Sequence, residues 1–219
     1  MPENLRRLPR SLWLGYSLAF GVIGLAIVAS FLQNAHQPAA PLPVIGAVAD
    51  FTLTNQDGRT ITLADFTNHV WIADIIFTRC AGPCPRLTMQ MKALQDKIPA
   101  TGTTRLVTLT TDPEFDTPEV LRRIGMHYGA DFSRWSFLTG TKAGIAGLAA
   151  NSLKLSAQPV KLEEQKDAAD LFIHTTIFVI VDKHAQLRGS FETGGEGVDW
   201  TNTVLPKIIG TVSQLEKEP

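Results

Sequence analysis

The two cysteines of the chain lie close together in the segment Cys80-Ala81-Gly82-Pro83-Cys84. The apolar run Val70–Phe77 before them predicts a strand, and the residues after them have the pattern of a helix. A helix that begins near Pro83 places Cys80 and Cys84 about one turn apart, so both sulfur atoms can face the same point. Two thiols in this arrangement are soft metal ligands and also a potential dithiol–disulfide couple.

The position of the cysteines at the start of this helix also predicts reactivity. The positive end of the helix dipole favours thiolate over thiol, and thiolate is the form that binds metal or attacks a disulfide. A structural disulfide and a pair of buried small side chains are the alternatives. A disulfide between Cys80 and Cys84 would close so short a loop that it removes little chain entropy, which favours the reactive interpretation.

The length and composition are typical of one globular domain with an additional N-terminal segment. The chain has 219 residues, 44% of them hydrophobic, and a formal net charge of −1, which gives no indication of nucleic-acid binding. Leu12–Leu32 is an uncharged, mostly apolar stretch that is long enough to cross a membrane as a helix. Arginines precede it at positions 6, 7 and 10, and the next Lys or Arg is Arg59. The positive-inside rule therefore keeps residues 1–11 in the cytoplasm and exports the remainder.

We expect a bacterial inner-membrane protein with one transmembrane anchor at residues 12–32, a linker at residues 33–44 and a periplasmic domain at residues 45–219. A cleaved signal peptide is the competing interpretation, because Val28-Ala29-Ser30 resembles a small-residue cleavage site. The length of the apolar run favours the retained anchor. The periplasm is oxidising, so a thiol pair there must be re-reduced, bound to metal or left as a disulfide.

Apolar patterns divide the domain into strands that alternate with helices. The predicted strands are a hairpin of Asp50–Thr54 and Thr60–Leu63, then Val70–Phe77, Arg105–Thr110, Trp135–Leu138, Ile177–Val181 and an edge strand Leu187–Phe191. The predicted helices are Leu87–Ile98, a helix that is capped by Asp116 and reaches Tyr128, Lys142–Ser152 and Val198–Leu215. This order predicts an α/β domain of three layers with a mixed central sheet.

Four segments, taken in their order and spacing, resemble the Sco/SenC family: Phe77–Pro85, Thr111–Pro118, Tyr128–Gly140 and His174–Asp182. A dithiol at the start of a helix after a central strand is also the thioredoxin-like arrangement, although three residues separate these cysteines instead of two. The resemblance implies a thioredoxin-like domain in a membrane-anchored copper chaperone for the assembly of cytochrome c oxidase. It further implies that Cys80, Cys84 and His174 bind one copper ion per domain.

The implied partner is the copper-bearing subunit of a terminal oxidase, with other periplasmic copper carriers or thiol–disulfide reductants as further partners. Two thiolates and an imidazole suit Cu(I) and can also hold Cu(II), whereas a closed zinc site uses four protein ligands. The alternative function is a thiol:disulfide oxidoreductase that keeps the copper-site cysteines of the oxidase reduced, with Cys80 attacking and Cys84 resolving. Copper binding needs His174 and disulfide exchange does not, so this histidine discriminates between the two functions.

Asp74 interrupts the apolar central strand six residues before Cys80, at the offset where thioredoxins carry a buried aspartate that assists proton transfer. It is either satisfied by neighbouring polar groups or a catalytic residue that tunes the redox pair, because a desolvated carboxylate has a raised pKa. The loop Ala81-Gly82-Pro83 lacks the polar or acidic residue that is frequent in the family. An Asp-Pro turn and a helix cap explain Asp112 and Asp116.

Overall fold

The computed structural model describes residues 16, 20–30, 41–155 and 176–218. The chain consists of two units, and the second of them, Leu42–Pro219, is the domain. In the first unit, residues 20–30 form a helix, α1. Within the described ranges, no helix combines the length and the apolar character needed to cross a membrane. The predicted anchor and the predicted linker both extend beyond these ranges.

Eight strands form one mixed sheet: β1 (Gly46–Ala47), β2 (Thr52–Asn55), β3 (Thr60–Thr62), β4 (Trp71–Ile76), β5 (Arg105–Thr110), β6 (Trp135–Thr139), β7 (Ile177–Val181) and β8 (Gln186–Glu192). Their order across the sheet is β1-β8-β7-β4-β5-β6-β2-β3. β4, β5 and β6 run parallel to one another, and every other pair is antiparallel. The predicted mixed sheet is confirmed, and β5 and β7 have the predicted bounds.

One predicted feature of the sheet is wrong. The strand Leu187–Phe191 was expected at the edge, but β1 pairs with its outer side, with Gly46 opposite Leu187. A strand of two residues shows no alternation of apolar and polar positions, so the sequence gives no signal for β1.

In the described part of the domain, four helices pack on the sheet: α2 (Cys84–Lys97), α3 (Pro118–His127), α4 (Lys142–Ala146) and α5 (Leu205–Lys217). The path of α4 continues as a π-helical turn, Gly147–Ser152, and a π-helical segment, Trp200–Val204, precedes α5. The predicted helices Lys142–Ser152 and Val198–Leu215 thus each contain a wider turn that apolar spacing alone does not reveal.

β4 is the central strand, and all of its side chains are buried. Its side chains alternate between the two faces of the sheet. Ile72 and Ile76 join the core formed with α2, α3 and α5, whereas Trp71 and Ile75 join the core formed with α4. Burial on both faces explains the nearly continuous apolar run in the sequence. By the same alternation Asp74 lies on the α2 face.

A buried ion cluster lies at the end of the sheet where β4 begins. Arg188 of β8 is only 8% exposed, and its Nη1 atom lies 2.6 Å from Oδ2 of Asp182. Its Nη2 atom lies 2.9 Å from Oε2 of Glu218 and donates to the carbonyl oxygen of Leu42 at 2.7 Å. This Arg188 cluster joins the first residues of the domain to its last helix.

Candidate metal centre

The cysteine loop, residues 77–84, connects the carboxyl end of β4 to α2. The N–H of Cys80 donates to the carbonyl oxygen of Phe77 at 3.1 Å, which forms a turn directly after the strand. α2 begins at Cys84, with Pro83 as its N-cap residue and a second proline in its first turn. A proline there removes no helical hydrogen bond. The predicted helix start near Pro83 is confirmed.

Both cysteines are present as thiols and are almost completely buried, Cys80 at 7% and Cys84 at 6% exposure. The N–H of Gly82 donates to Sγ of Cys80 at 3.3 Å, and the hydroxyl of Thr88 donates to the carbonyl oxygen of Cys84 at 3.0 Å. In contrast, Ala81 and Gly82 are exposed. The exposed residues that separate the two buried thiols along the chain are therefore those of this short loop.

Burial raises the pKa of the Cys84 thiol above its ordinary value, and the neighbouring Cys80 and Asp74 side chains act in the same direction. Without a metal, Cys84 is therefore a thiol at neutral pH. The prediction that the helix dipole favours the thiolate is wrong for Cys84, because desolvation of the sulfur outweighs the dipole. A metal cation reverses this balance, since a coordinating thiol is deprotonated.

Asp74 lies on the α2 face of β4 and is completely buried. Burial raises its pKa to about 7. Thr108, its register partner on β5, and the backbone N–H of Asp74 offset part of this effect. Neither carboxyl oxygen makes a hydrogen bond of normal geometry to any described residue. This environment is that of a carboxyl group that gains and loses a proton near neutral pH.

Asp116 has a different role from the predicted one. Thr117, not Asp116, is the N-cap residue of α3, and its side chain accepts from the N–H of Val120. Asp116 is completely buried and accepts three hydrogen bonds: from the N–H of Thr78 at 3.0 Å, from the hydroxyl of Thr78, and from the hydroxyl of Thr110 at 2.5 Å. The carboxylate therefore joins the cysteine loop to the end of β5.

A second contact joins the same two loops. The Nη2 atom of Arg79 lies 2.5 Å from Oδ2 of Asp112, and the guanidinium group lies over the ring of Phe115, 4.3 Å from its centroid. Arg79, the residue immediately before Cys80, is thus paired with the loop 111–117, which contains both Asp112 and Asp116.

The chain around Thr176, which precedes β7, lies beside the cysteine helix. The N–H of Thr193 donates to the carbonyl oxygen of Thr176 at 2.7 Å, and Gln90 of α2 donates to the carbonyl oxygen of Thr193 at 3.0 Å. A Cβ atom on Gly194 would lie 2.8 Å from Cγ2 of Thr176 and even closer to Arg86. Thr176 and the guanidinium group of Arg86, a residue of the first turn of α2, therefore both lie next to Gly194.

His174, the predicted third ligand, lies outside the described residues. β7 is antiparallel to β4, so the chain enters β7 at the edge where β4 leaves toward Cys80. In the described part of the chain, no group of three or more His, Cys, Asp or Glu side chains could hold a metal ion.

Sequence reasoning missed the contacts that position the loops of this centre. Asp116 stood in a motif but was interpreted as a cap, and Gln90 carries no signal on an amphipathic helix. The pair Gly194-Gly195 after a strand is a signal for close backbone approach, and it was not used.

A central strand that leads to two cysteines at the start of a helix defines a thioredoxin-like protein. A family model described as SCO1/SenC matches residues 43–205. A SCO1 protein homolog of Bacillus subtilis (strain 168) is 34% identical over 172 residues, which are 78% of this chain and 83% of that protein. The chain belongs to the SCO1/SenC family.

Two solved structures share the fold. BsSco, a member of the Sco family of cytochrome c oxidase assembly proteins in which a disulfide switch has been identified, has a TM-score of 0.66 at 27% identity. The match covers 82% of this chain and 100% of that one. ScoI of Bradyrhizobium japonicum, solved with copper bound, has a TM-score of 0.58 at 19% identity and covers 78% and 99% of the two chains. The likeness to the Bradyrhizobium japonicum protein concerns the fold alone.

Proposed function

We propose that this protein is a copper-binding metallochaperone that delivers copper to a terminal cytochrome c oxidase during its assembly. The observation that carries the proposal is the pair of thiols, Cys80 and Cys84, at the start of α2, next to the segment that leads to His174. Membership of the SCO1/SenC family supports the same function, since BsSco is described as an oxidase assembly protein. The same fold holds copper in the Bradyrhizobium japonicum protein.

The donor set fits copper as the cargo. Cys80 and Cys84 supply two soft sulfur ligands, and His174 supplies an imidazole, a set of low coordination number that suits Cu(I) and can also hold Cu(II). We assign one ion to each domain. The raised pKa of Cys84 means that binding releases a proton from this thiol. A site of only three ligands beside an exposed loop leaves room for a ligand from the oxidase subunit during transfer.

A thiol:disulfide oxidoreductase is the second candidate, and Asp74 is the observation that favours it. The thiolate of Cys80 attacks a disulfide of the client and releases one client sulfur as a thiolate, which takes a proton from the solvent. Cys84 then loses its proton and attacks Sγ of Cys80 in the mixed disulfide, which releases the second client sulfur as a thiolate that is also protonated by the solvent, so two electrons pass to the client and Cys80 and Cys84 form a disulfide. Asp74, buried on the face that packs against α2, accepts the Cys84 proton. A thiol reductant must then regenerate the pair.

The variant His174→Ala separates the two functions. Loss of an outer-shell partner lowers metal affinity by roughly 10- to 100-fold. Because His174→Ala removes a direct ligand, we expect affinity for Cu(I) to fall by more than this. Reduction of a peptide disulfide should proceed at the unchanged rate, since exchange uses only the cysteines. Anaerobic titration of the reduced protein against a competing chelator measures the first quantity, and His127→Ala, an exposed histidine elsewhere, is the control. An unchanged affinity in His174→Ala contradicts the assignment of this ligand.

We also propose that Leu12–Leu32 anchors the protein in the bacterial inner membrane and that the domain lies in the periplasm. The arginines at positions 6, 7 and 10 support this orientation. The mature protein is expected to keep its N-terminal segment. N-terminal sequencing of the protein from membranes tests this, and a mature chain that begins after Ser30 would show a cleaved signal peptide instead.

A further inference from the structure

The carboxylate of Asp116 is buried in an unusual way. It is 0% exposed, and within the described residues no cation pairs with it. Its three hydrogen bonds come from neutral donors, two on Thr78 and one on Thr110. A buried carboxylate without a cation is costly unless donors satisfy it. These hydrogen bonds therefore offset the cost of burying the carboxylate only while Thr78 and Thr110 keep their positions.

Those groups fix the chain immediately before Cys80. Both the N–H and the hydroxyl of Thr78 are held by Asp116, which leaves the backbone at this position little freedom. Thr110 is the last residue of β5 and the register partner of Ile76, the last residue of β4. The carboxylate thus ties the cysteine loop to the end of the rigid central sheet. Cys80 follows Thr78 by two residues.

We propose that Asp116 is a positioning residue for the cysteine pair: acting through Thr78, it holds Cys80 buried beside Cys84 in the reduced protein. The proposal rests on the proposed function only in taking these two thiols as the working site. The contact of Arg79 with Asp112 acts on the same loop but lies at the surface, with the arginine side chain 56% exposed. The Asp116 contacts are better shielded from water, because the carboxylate is completely buried and Thr78 is half-buried.

A role in stability alone predicts something different from a positioning role. If Asp116 only stabilises the fold, its loss lowers the free energy of unfolding and leaves the reactivity of Cys80 in the folded protein unchanged. If it positions the loop, its loss lets the loop open locally while the sheet stays folded. Cys80 then reacts faster, and Cys84, which is anchored in α2, is affected much less.

The test is the alkylation rate of each cysteine by iodoacetamide in the reduced, metal-free, full-length chain, with the two sites resolved by peptide mass spectrometry. We expect Thr78→Val and Asp116→Asn to accelerate alkylation of Cys80 by about tenfold, since each removes a hydrogen bond to or from a charged group. Thr78→Ser keeps the hydroxyl and should retain the wild-type rate. The double variant should react no faster than the faster single variant, because both changes break one interaction.

Thr104→Val is the matched control, because Thr104 also donates a hydrogen bond to a carboxylate, Oε1 of Glu216 at 2.6 Å, but directly before β5, at the opposite end of this strand from Thr110 and the cysteine loop. It should leave both alkylation rates unchanged. Wild-type Cys80 rates in folded Thr78→Val overturn the proposal even if Asp116→Asn does not fold, and additive effects in the double variant also overturn it. None of these measurements involves copper, so a failure of the metallochaperone proposal would be seen separately, in the copper titration.

Discussion

A Cys84→Ser variant is expected to lose tight Cu(I) binding altogether. Cys84 is one of only two cysteines in the chain, and a hydroxyl group is a hard, weak ligand for Cu(I) where a thiolate is a soft, strong one. The helix itself should form as before, because Ser and Cys have nearly the same shape and serine is well tolerated at a helix start. We therefore expect the affinity to fall by several orders of magnitude without a loss of folding.

Anaerobic Cu(I) titration of the reduced protein against a competing chelator measures this effect, with metal counted after removal of the chelator. Met89→Leu is the control, because Met89 is an exposed residue of α2 with a soft sulfur atom and its loss should leave one ion bound per chain. An unchanged stoichiometry and affinity in Cys84→Ser would refute the assignment of the metal centre.

Asp74→Asn is expected to stabilise the reduced, metal-free protein in a pH-dependent way. The native carboxyl group has its pKa raised to about 7 from an ordinary value of 3.8, so between these pH values the native state holds a proton that the unfolded state has released. The contribution of Asp74 to the stability of the wild type therefore falls as the pH rises through this window. Above about pH 7 the buried charge costs about 4 kcal/mol, and the amide of Asn does not carry this cost.

Chemical unfolding at about pH 4 and about pH 8 measures the difference. The two proteins should be nearly equal at the lower pH, and the variant should be more stable at the higher one. Asp96→Asn, a surface change on α2, should show no such difference. A stability difference between wild type and Asp74→Asn that does not grow from the lower to the higher pH would contradict the raised pKa of Asp74.

The same variant informs the choice between the two functions. If Asp74 accepts the proton of Cys84 during disulfide exchange, Asp74→Asn should slow reduction of a peptide disulfide near neutral pH while the chain still binds one copper ion. Equal exchange rates for wild type and variant from about pH 6 to about pH 9 reject a catalytic role for this residue.

The central part of the fold was predicted well, because its buried strands and helices have clear apolar patterns in the sequence. Arg105–Thr110 and Ile177–Val181 are nearly continuous apolar or β-branched runs, and both strands have the predicted bounds. The cysteine helix was predicted because Leu87, Met91 and Leu94 share one face, and all three lie in the core. The start of this helix followed from its prolines.

The parts that were missed depend on contacts between segments distant in the chain. Asp116 has the sequence context of a cap, and only its three-dimensional neighbours Thr78 and Thr110 show that it holds the cysteine loop. The pKa of Cys84 was misjudged for the same reason, since the helix dipole is a local property whereas desolvation depends on the whole core. β1 could not be predicted, because its two residues, Gly46 and Ala47, are too few to show an alternation of apolar and polar positions.

The Arg188 cluster has a mechanical consequence. It holds Leu42, where the preceding chain enters the domain, at the edge of the sheet where β4 begins, whereas the cysteines follow the opposite end of β4. A strand of six residues spans about 20 Å. In the proposed membrane-anchored protein, a pull on the chain before Leu42 would therefore reach the sheet through Arg188 and its partners Asp182 and Glu218, and the cysteine loop would lie outside the path of that force.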